Sequence, residues 1–85
     1  MDKTIYTKDY AVFLCCLRKV RKEAGLTQVQ LAERINQTQS FVSKCERGER
    51  HIDVIDLRIF CQAIGISLVE FIQQLELALE DSEKS

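Results

Sequence analysis

Gln39, Ser40, Lys44 and Arg47 recur so that one short helix would turn them to one side. Thr38 is placed to cap that helix, and Val42 and Cys45 give it a buried edge at helical spacing. With Val42 pointing inward, Ser40, Lys44 and Arg47 point almost directly away. Ser43 lies to one side and Gln39 at the N-terminal rim. The chemistry available to such a face is hydrogen bonding to base edges. A glutamine amide pairs with adenine, a serine hydroxyl serves several bases, and a lysine donates to guanine O6 and N7. Gln39, Ser40 and Lys44 are therefore the candidate base contacts. Phe41, on the flank, has two open readings: contact with a thymine methyl or sugar, or packing against a neighbouring helix.

Phosphate contacts are expected around this face. Gln28 opens the preceding helix, where backbone N–H groups and the dipole attract anions. Arg50 lies in the loop after the Gln39 helix and can clamp the backbone from the other side. Arg47 and Lys44 add charge, and Ser43 suits a backbone contact or solvent better than a base. Arg34 and Lys22 read as solvated residues, and Arg18 and Lys19 have no decided orientation. The net charge of −1 conceals an uneven distribution. Residues 1–50 carry ten Lys/Arg against six Asp/Glu, a net of +4, while residues 51–85 carry two against seven, a net of −5. The basic half holds the candidate face, and local field matters more than the total.

Other chemistries find no support. The four cysteines, Cys15, Cys16, Cys45 and Cys61, lack the paired spacing of a zinc site. They read as reduced thiols in small apolar sites, and no metal or cofactor is expected. The lone His51 has no nucleophile in a recognisable arrangement beside it. Asp53 and Asp56 are spaced as a helix cap and a first-turn charge, not as an acid/base pair. An enzyme is not expected, and no small-molecule ligand is evident.

Five helices must position the face. The first is expected over residues 8–24, with Tyr10, Phe13, Leu14, Leu17, Val20, Arg21 and Ala24 inward. Gly25 stops it in the left-handed region, and Leu26 supplies the accompanying apolar contact. Residues 1–7 are polar and loose, although Ile5 and Tyr6 can fold back. Thr27 and Gln30 form a capping box for the second helix, which ends near Ile35, with Asn36 taking the left-handed turn. The third starts after Thr38 and ends near Arg47 and Gly48. The fourth is capped by Asp53, buries Val54, Leu57, Phe60, Cys61 and Ile64, and stops at Gly65. Ser67 and Glu70 open the fifth, whose stripe is Leu68, Phe71, Ile72, Leu75 and Leu79.

With helices two and three as the tight pair, the stretches GLTQVQLAERI, QSFVSKCERGER and DVIDLRIFCQAIGIS resemble the Cro/cI-type, Xre-like helix-turn-helix family over about residues 8–72. The resemblance implies an all-α, five-helix, lambda-repressor-like domain that binds double-stranded DNA. It also implies that Arg21 is the partner of Glu46, which falls on the inward edge of the third helix and needs one. Asn36 stands where the family prefers glycine, and Gln37 where it prefers an apolar residue, so a slightly looser turn is expected. The implied function is transcriptional regulation, as a homodimeric repressor on a palindromic operator. The alternatives are an antitoxin-like regulator or a protein-interaction module on the same fold. Polar donors on the outer face argue against the latter.

At 85 residues one domain is expected, with a core over 8–72, an extension over 73–80 and a frayed tail over 81–85. The longest apolar run, from Ala11 to Leu17, is far too short to span a membrane, and a cytoplasmic location is expected. The extension adds Leu75, Leu77, Ala78 and Leu79, the candidate dimer contacts, to which Val12 and Cys15 can add.

Overall fold

Caps and left-handed turns divide the chain into five helices in the computed structural model, which describes residues 3–84, with side chains from Lys8 onward. The helices are α1 (Lys3–Glu23), α2 (Gln28–Arg34), α3 (Gln39–Glu46), α4 (Val54–Ile64) and α5 (Leu68–Lys84). No strand occurs among the described residues. The boundaries between successive helices have local causes. Gly25 turns at φ 78°. The Leu26 N–H then reaches the Arg21 carbonyl at 3.2 Å and the Gly25 N–H reaches Lys22 at 2.9 Å, which closes α1 with a Schellman motif. Thr27 caps α2 through the expected box with Gln30, at 3.1 and 2.9 Å. Thr38 caps α3 by accepting from the Phe41 N–H at 3.1 Å. Asp53 and Asp56 exchange a full capping box at the start of α4. The Ser67 hydroxyl accepts from the Glu70 N–H at 3.0 Å to open α5.

The turn between α2 and α3 is tight, against the looser turn expected from Asn36 and Gln37. Asn36 adopts φ 57°. The Gln37 N–H bonds the Ala32 carbonyl at 2.9 Å, and the Asn36 N–H bonds Glu33 at 3.2 Å. The Gln37 side chain is exposed, so its polarity costs the core nothing. Asparagine tolerates the left-handed region well enough for the backbone to close the motif.

The core gathers Leu17 and Val20 of α1, Leu31 and Ala32 of α2, Val42 and Cys45 of α3, Leu57, Phe60 and Cys61 of α4, and Phe71 of α5. The small Ala32, 2% exposed, sits on the short helix pair. Phe71 meets Phe13 edge-on with centroids 5.9 Å apart, pinning α5 to α1. Several boundaries and faces differ from expectation. The first helix begins at Lys3 rather than Lys8, while the side chains of Ile5 and Tyr6 lie outside the described residues. Ala24 is exposed because α1 has already ended at Glu23. Val54 is 60% exposed, since the first residue of α4 precedes the turn that meets the core. The fifth helix runs to Lys84, through the stretch expected to fray.

Candidate nucleic-acid interface

Val42, Cys45 and Glu46 are buried beneath α3, and Gln39, Ser40 and Lys44 are exposed above it. This division follows from the helical repeat, and the sequence alone gives it. What the sequence does not give is how firmly the helix is held. Glu46 is 1% exposed and Arg21 6%, and the guanidinium grips the carboxylate with Nε to Oε2 at 2.6 Å and Nη2 to Oε1 at 3.0 Å. Arg21 Nη1 also donates to the Leu26 carbonyl at 2.8 Å. Arg18, undecided from sequence, donates Nη1 to the Glu46 backbone carbonyl at 2.7 Å. Two arginines of α1 therefore hold the last residue of α3, one by its side chain and one by its backbone. A carbonyl at a helix C-terminus is otherwise unpaired, which is why a cation suits it.

Gln28, expected at a phosphate, has its side chain engaged inside the site. Its Nε2 donates to Glu46 Oε1 at 3.0 Å, and its Oε1 accepts from Gln39 Nε2 at 3.2 Å. The first residues of α2 and α3 are thus joined through their amides. Of the two readings open for Phe41, the geometry is that of packing. Its half-buried ring lies 6.4 Å from that of Phe60, and the Arg50 guanidinium carbon sits 4.8 Å above it. This is the second of the two readings of Phe41, and contact with a thymine methyl or sugar stays a proposal. Its neighbour Arg50 is exposed, with its charge beside the outer face.

Arg47 is exposed but engaged. Its Nε donates to Glu49 Oε2 at 2.6 Å and its Nη1 to the Ser43 hydroxyl at 2.7 Å. The hydrogen bond from Arg47 holds the Glu49 carboxyl below its ordinary range. Neither Arg47 nor Ser43, both expected at phosphates, therefore points free to solvent. Arg34, read as solvated, donates to the Ala63 carbonyl at 2.8 Å and ties α2 to the end of α4. Lys19, Lys22 and Lys44 are exposed. His51 is exposed in the loop, with its ring 5.2 Å from that of Tyr10, and the Tyr10 hydroxyl accepts from the Ile52 N–H at 3.2 Å. That bond anchors the loop that carries Arg50.

The four candidate dimer residues do not form one patch. On a helix of about 100° per residue, Leu75 and Leu77 lie about 160° apart. Leu75 and Ala78 are partly buried against the core, and Leu77 is 67% exposed. Ala78 faces a shallow groove lined by Val12 and Cys15 of α1. Leu79 is half-buried and shares an edge of α5 with Leu75 and with Ile72, which is 42% exposed. Among the described residues, no cluster of His, Cys, Asp or Glu could hold a metal ion, and no helix is long and apolar enough to cross a membrane.

Comparison with known proteins places this geometry. Residues 17–71 match the helix-turn-helix family. An XRE-family-like protein from Pseudomonas syringae pv. tomato superposes with a TM-score of 0.81 at 43% identity, covering 88% of this chain and 92% of that one. An HTH-type transcriptional regulator of Sinorhizobium fredii is 41% identical over 54 residues, 64% of this chain and 70% of the relative. The immunity repressor protein of Bacillus phage phi105 is 32% identical over 65 residues, 76% of this chain and 45% of the relative.

Proposed function

This chain belongs to the XRE-type helix-turn-helix family of DNA-binding transcription regulators, and on that premise we propose that it is a repressor that occupies a palindromic operator as a homodimer. The observation that carries the reading is the division of α3, with Gln39, Ser40 and Lys44 outward and Val42, Cys45 and Glu46 held from beneath. A helix fixed in this way can enter the major groove as a rigid unit, with its N-terminal residues on the base edges. Gln39 reads adenine, Ser40 adapts to its neighbour, and Lys44 donates to guanine or to a phosphate. Arg50 binds phosphate from the far side, and Arg47 joins it when it leaves Glu49. These cations steer the duplex to the basic half despite the net charge of −1. The similarity to a phage immunity repressor supports repression as the mode of action.

Residues 8–72 form the DNA-binding core in this reading, and the rest of α5 serves self-association. Ile72, Leu75 and Leu79 recur at i, i+3 and i+7 along one edge of α5, and each keeps exposed surface. A two-fold contact along such an edge is self-complementary, because each helix offers the same stripe to the other. It would set two recognition helices about 34 Å apart, one turn of DNA. Selection of bound duplexes from a random library tests both parts. The expected product is a dyad-symmetric consensus with adenine at a fixed place in each half-site. A consensus without dyad symmetry overturns the dimer, and no enrichment at all overturns sequence-specific binding.

A further inference from the structure

Four arginines of this chain are held by oxygen atoms. Arg18 donates to the Glu46 carbonyl at 2.7 Å, Arg21 to the Glu46 carboxylate at 2.6 Å, Arg34 to the Ala63 carbonyl at 2.8 Å and Arg47 to Glu49 at 2.6 Å. Arg50 is held differently. Its guanidinium carbon lies over the Phe41 ring, 4.8 Å from the centroid, and among the described residues no carboxylate pairs with it. The distinction is chemical. An oxygen partner consumes N–H donors, whereas a ring face attracts the cation through its quadrupole and consumes none.

Both ends of the Arg50 side chain are fixed. At the backbone, the Arg50 N–H donates to the Lys44 carbonyl at 3.3 Å and the Glu49 N–H to the same carbonyl at 2.9 Å. Gly48 turns at φ 81°, where a Cβ would come within 3.0 Å of Leu14, so the loop lies close against α1. Two residues past Arg50, the Ile52 N–H donates to the Tyr10 hydroxyl at 3.2 Å. At the other end, Phe41 is itself anchored. Its N–H is bonded to the Thr38 cap, and its half-buried ring lies 6.4 Å from that of the buried Phe60.

We infer that Phe41 is a positioning residue for the phosphate contact of Arg50: its ring holds the guanidinium beside the outer face of α3 with the N–H donors uncommitted. The inference rests on the proposed reading of Arg50 as a phosphate ligand. A free arginine side chain surrenders several rotatable bonds when it clamps a phosphate. Arg50 has surrendered much of that freedom before the duplex arrives. Arg47, by contrast, must first leave Glu49. Phe41 thus acts on affinity through a neighbour, without touching a base. Because a phosphate carries no sequence information, its effect is the same on every duplex.

The test is a double-mutant cycle on the full chain, with Phe41→Leu, Arg50→Ala and the two combined. Leucine keeps an apolar side chain against Phe60 and removes the ring. Anisotropy titrations use a selected duplex and a scrambled one, with thermal melting of each variant. Phe41→Leu is expected to weaken both duplexes by the same factor, about threefold to tenfold for each half-site engaged, the scale of ordering one long side chain. In the Arg50→Ala background, Phe41→Leu is expected to change neither affinity. A further loss in that background overturns the inference, because Phe41 would then act on the DNA or on α3 directly. A loss confined to the selected duplex also overturns it, in favour of a thymine contact. Unchanged affinity in Phe41→Leu overturns it as well. Arg50→Ala with wild-type affinity would fail the phosphate reading itself, and the inference with it. Proton NMR of the free wild type decides the stack independently of any variant's folding. The Arg50 side-chain protons are expected upfield of their ordinary position, shifted by the Phe41 ring, and ordinary shifts there overturn the inference.

Discussion

Arg21 and Glu46, twenty-five residues apart in sequence, meet through two hydrogen bonds of 2.6 and 3.0 Å in a site almost closed to water. The pair fastens α1 to the end of α3 and is the only one among the described residues that joins two helices at this burial. Removing one partner leaves the other charged and desolvated, at a cost of about 3–5 kcal/mol. That is a large share of a stability of about 5–15 kcal/mol. Arg21→Met and Glu46→Met are each expected to melt far below wild type, and the double mutant to recover part of the loss. Additive losses in the thermal cycle would show that the two residues do not stabilise one another.

The exposed Arg47–Glu49 pair bears on affinity instead. While Glu49 holds Arg47, two charges near the outer face cancel. Glu49→Gln is expected to tighten binding to any duplex and to steepen the salt dependence by about one counterion. Arg50→Ala is expected to do the reverse, weakening specific and scrambled duplexes alike and flattening the slope by about one. Fluorescence anisotropy titrations at several salt concentrations measure both. A Glu49→Gln protein with unchanged affinity and slope would show that Arg47 does not reach the DNA backbone.

The proposed self-association uses one edge of α5, so substitutions on opposite sides of that helix should differ. Leu79→Glu charges the half-buried edge shared with Ile72 and is expected to yield monomer. Leu77→Glu charges a position 67% exposed on the other side and is expected to leave the dimer intact. Leu75→Glu is a poorer probe, because Leu75 also packs against the core of its own chain. Light scattering at micromolar concentration separates these outcomes. A wild type that remains monomeric sinks the dimer while leaving the DNA-binding reading standing.

The four thiols should divide sharply in reactivity. Burial pushes the Cys16, Cys45 and Cys61 thiols above their ordinary range, so they stay protonated at neutral pH. Cys15 is exposed. A disulfide reagent at neutral pH is expected to modify one thiol of the native protein and all four after unfolding. Rapid native reaction of a second thiol would show that α1, α3 or α4 opens more readily than its packing implies.

The helix pair and its boundaries were legible in the sequence because the signals are local. Thr27 with Gln30, Thr38, and Asp53 with Asp56 cap helices within three residues. Asn36, Gly25 and Gly65 turn the chain by their own backbone preference. The buried edge of α3 follows from a repeat that any helix must obey. The extra turns at the ends, Lys3 to Thr7 and Asp81 to Lys84, carry no such signals, and there the expected boundaries fell short.

Partner choice belonged to the tertiary structure. Arg18, Arg34 and Arg47 are alike as residue types, and helical spacing left Arg18 undecided while reading Arg34 as solvated and Arg47 at a phosphate. Yet one bonds the Glu46 carbonyl, one the Ala63 carbonyl and one the Glu49 carboxylate. Gln28 turned inward for the same reason: packing α2 on α3 brings Glu46 and Gln39 within its reach. The packing of Phe41 likewise depends on the approach of Phe60 from α4. The sequence by itself determined where the inner helices start and stop and which face they bury, since those depend on residues a few positions apart. Which long side chain meets which acceptor depends on how the helices cross, a distance in space that spacing along the chain does not encode.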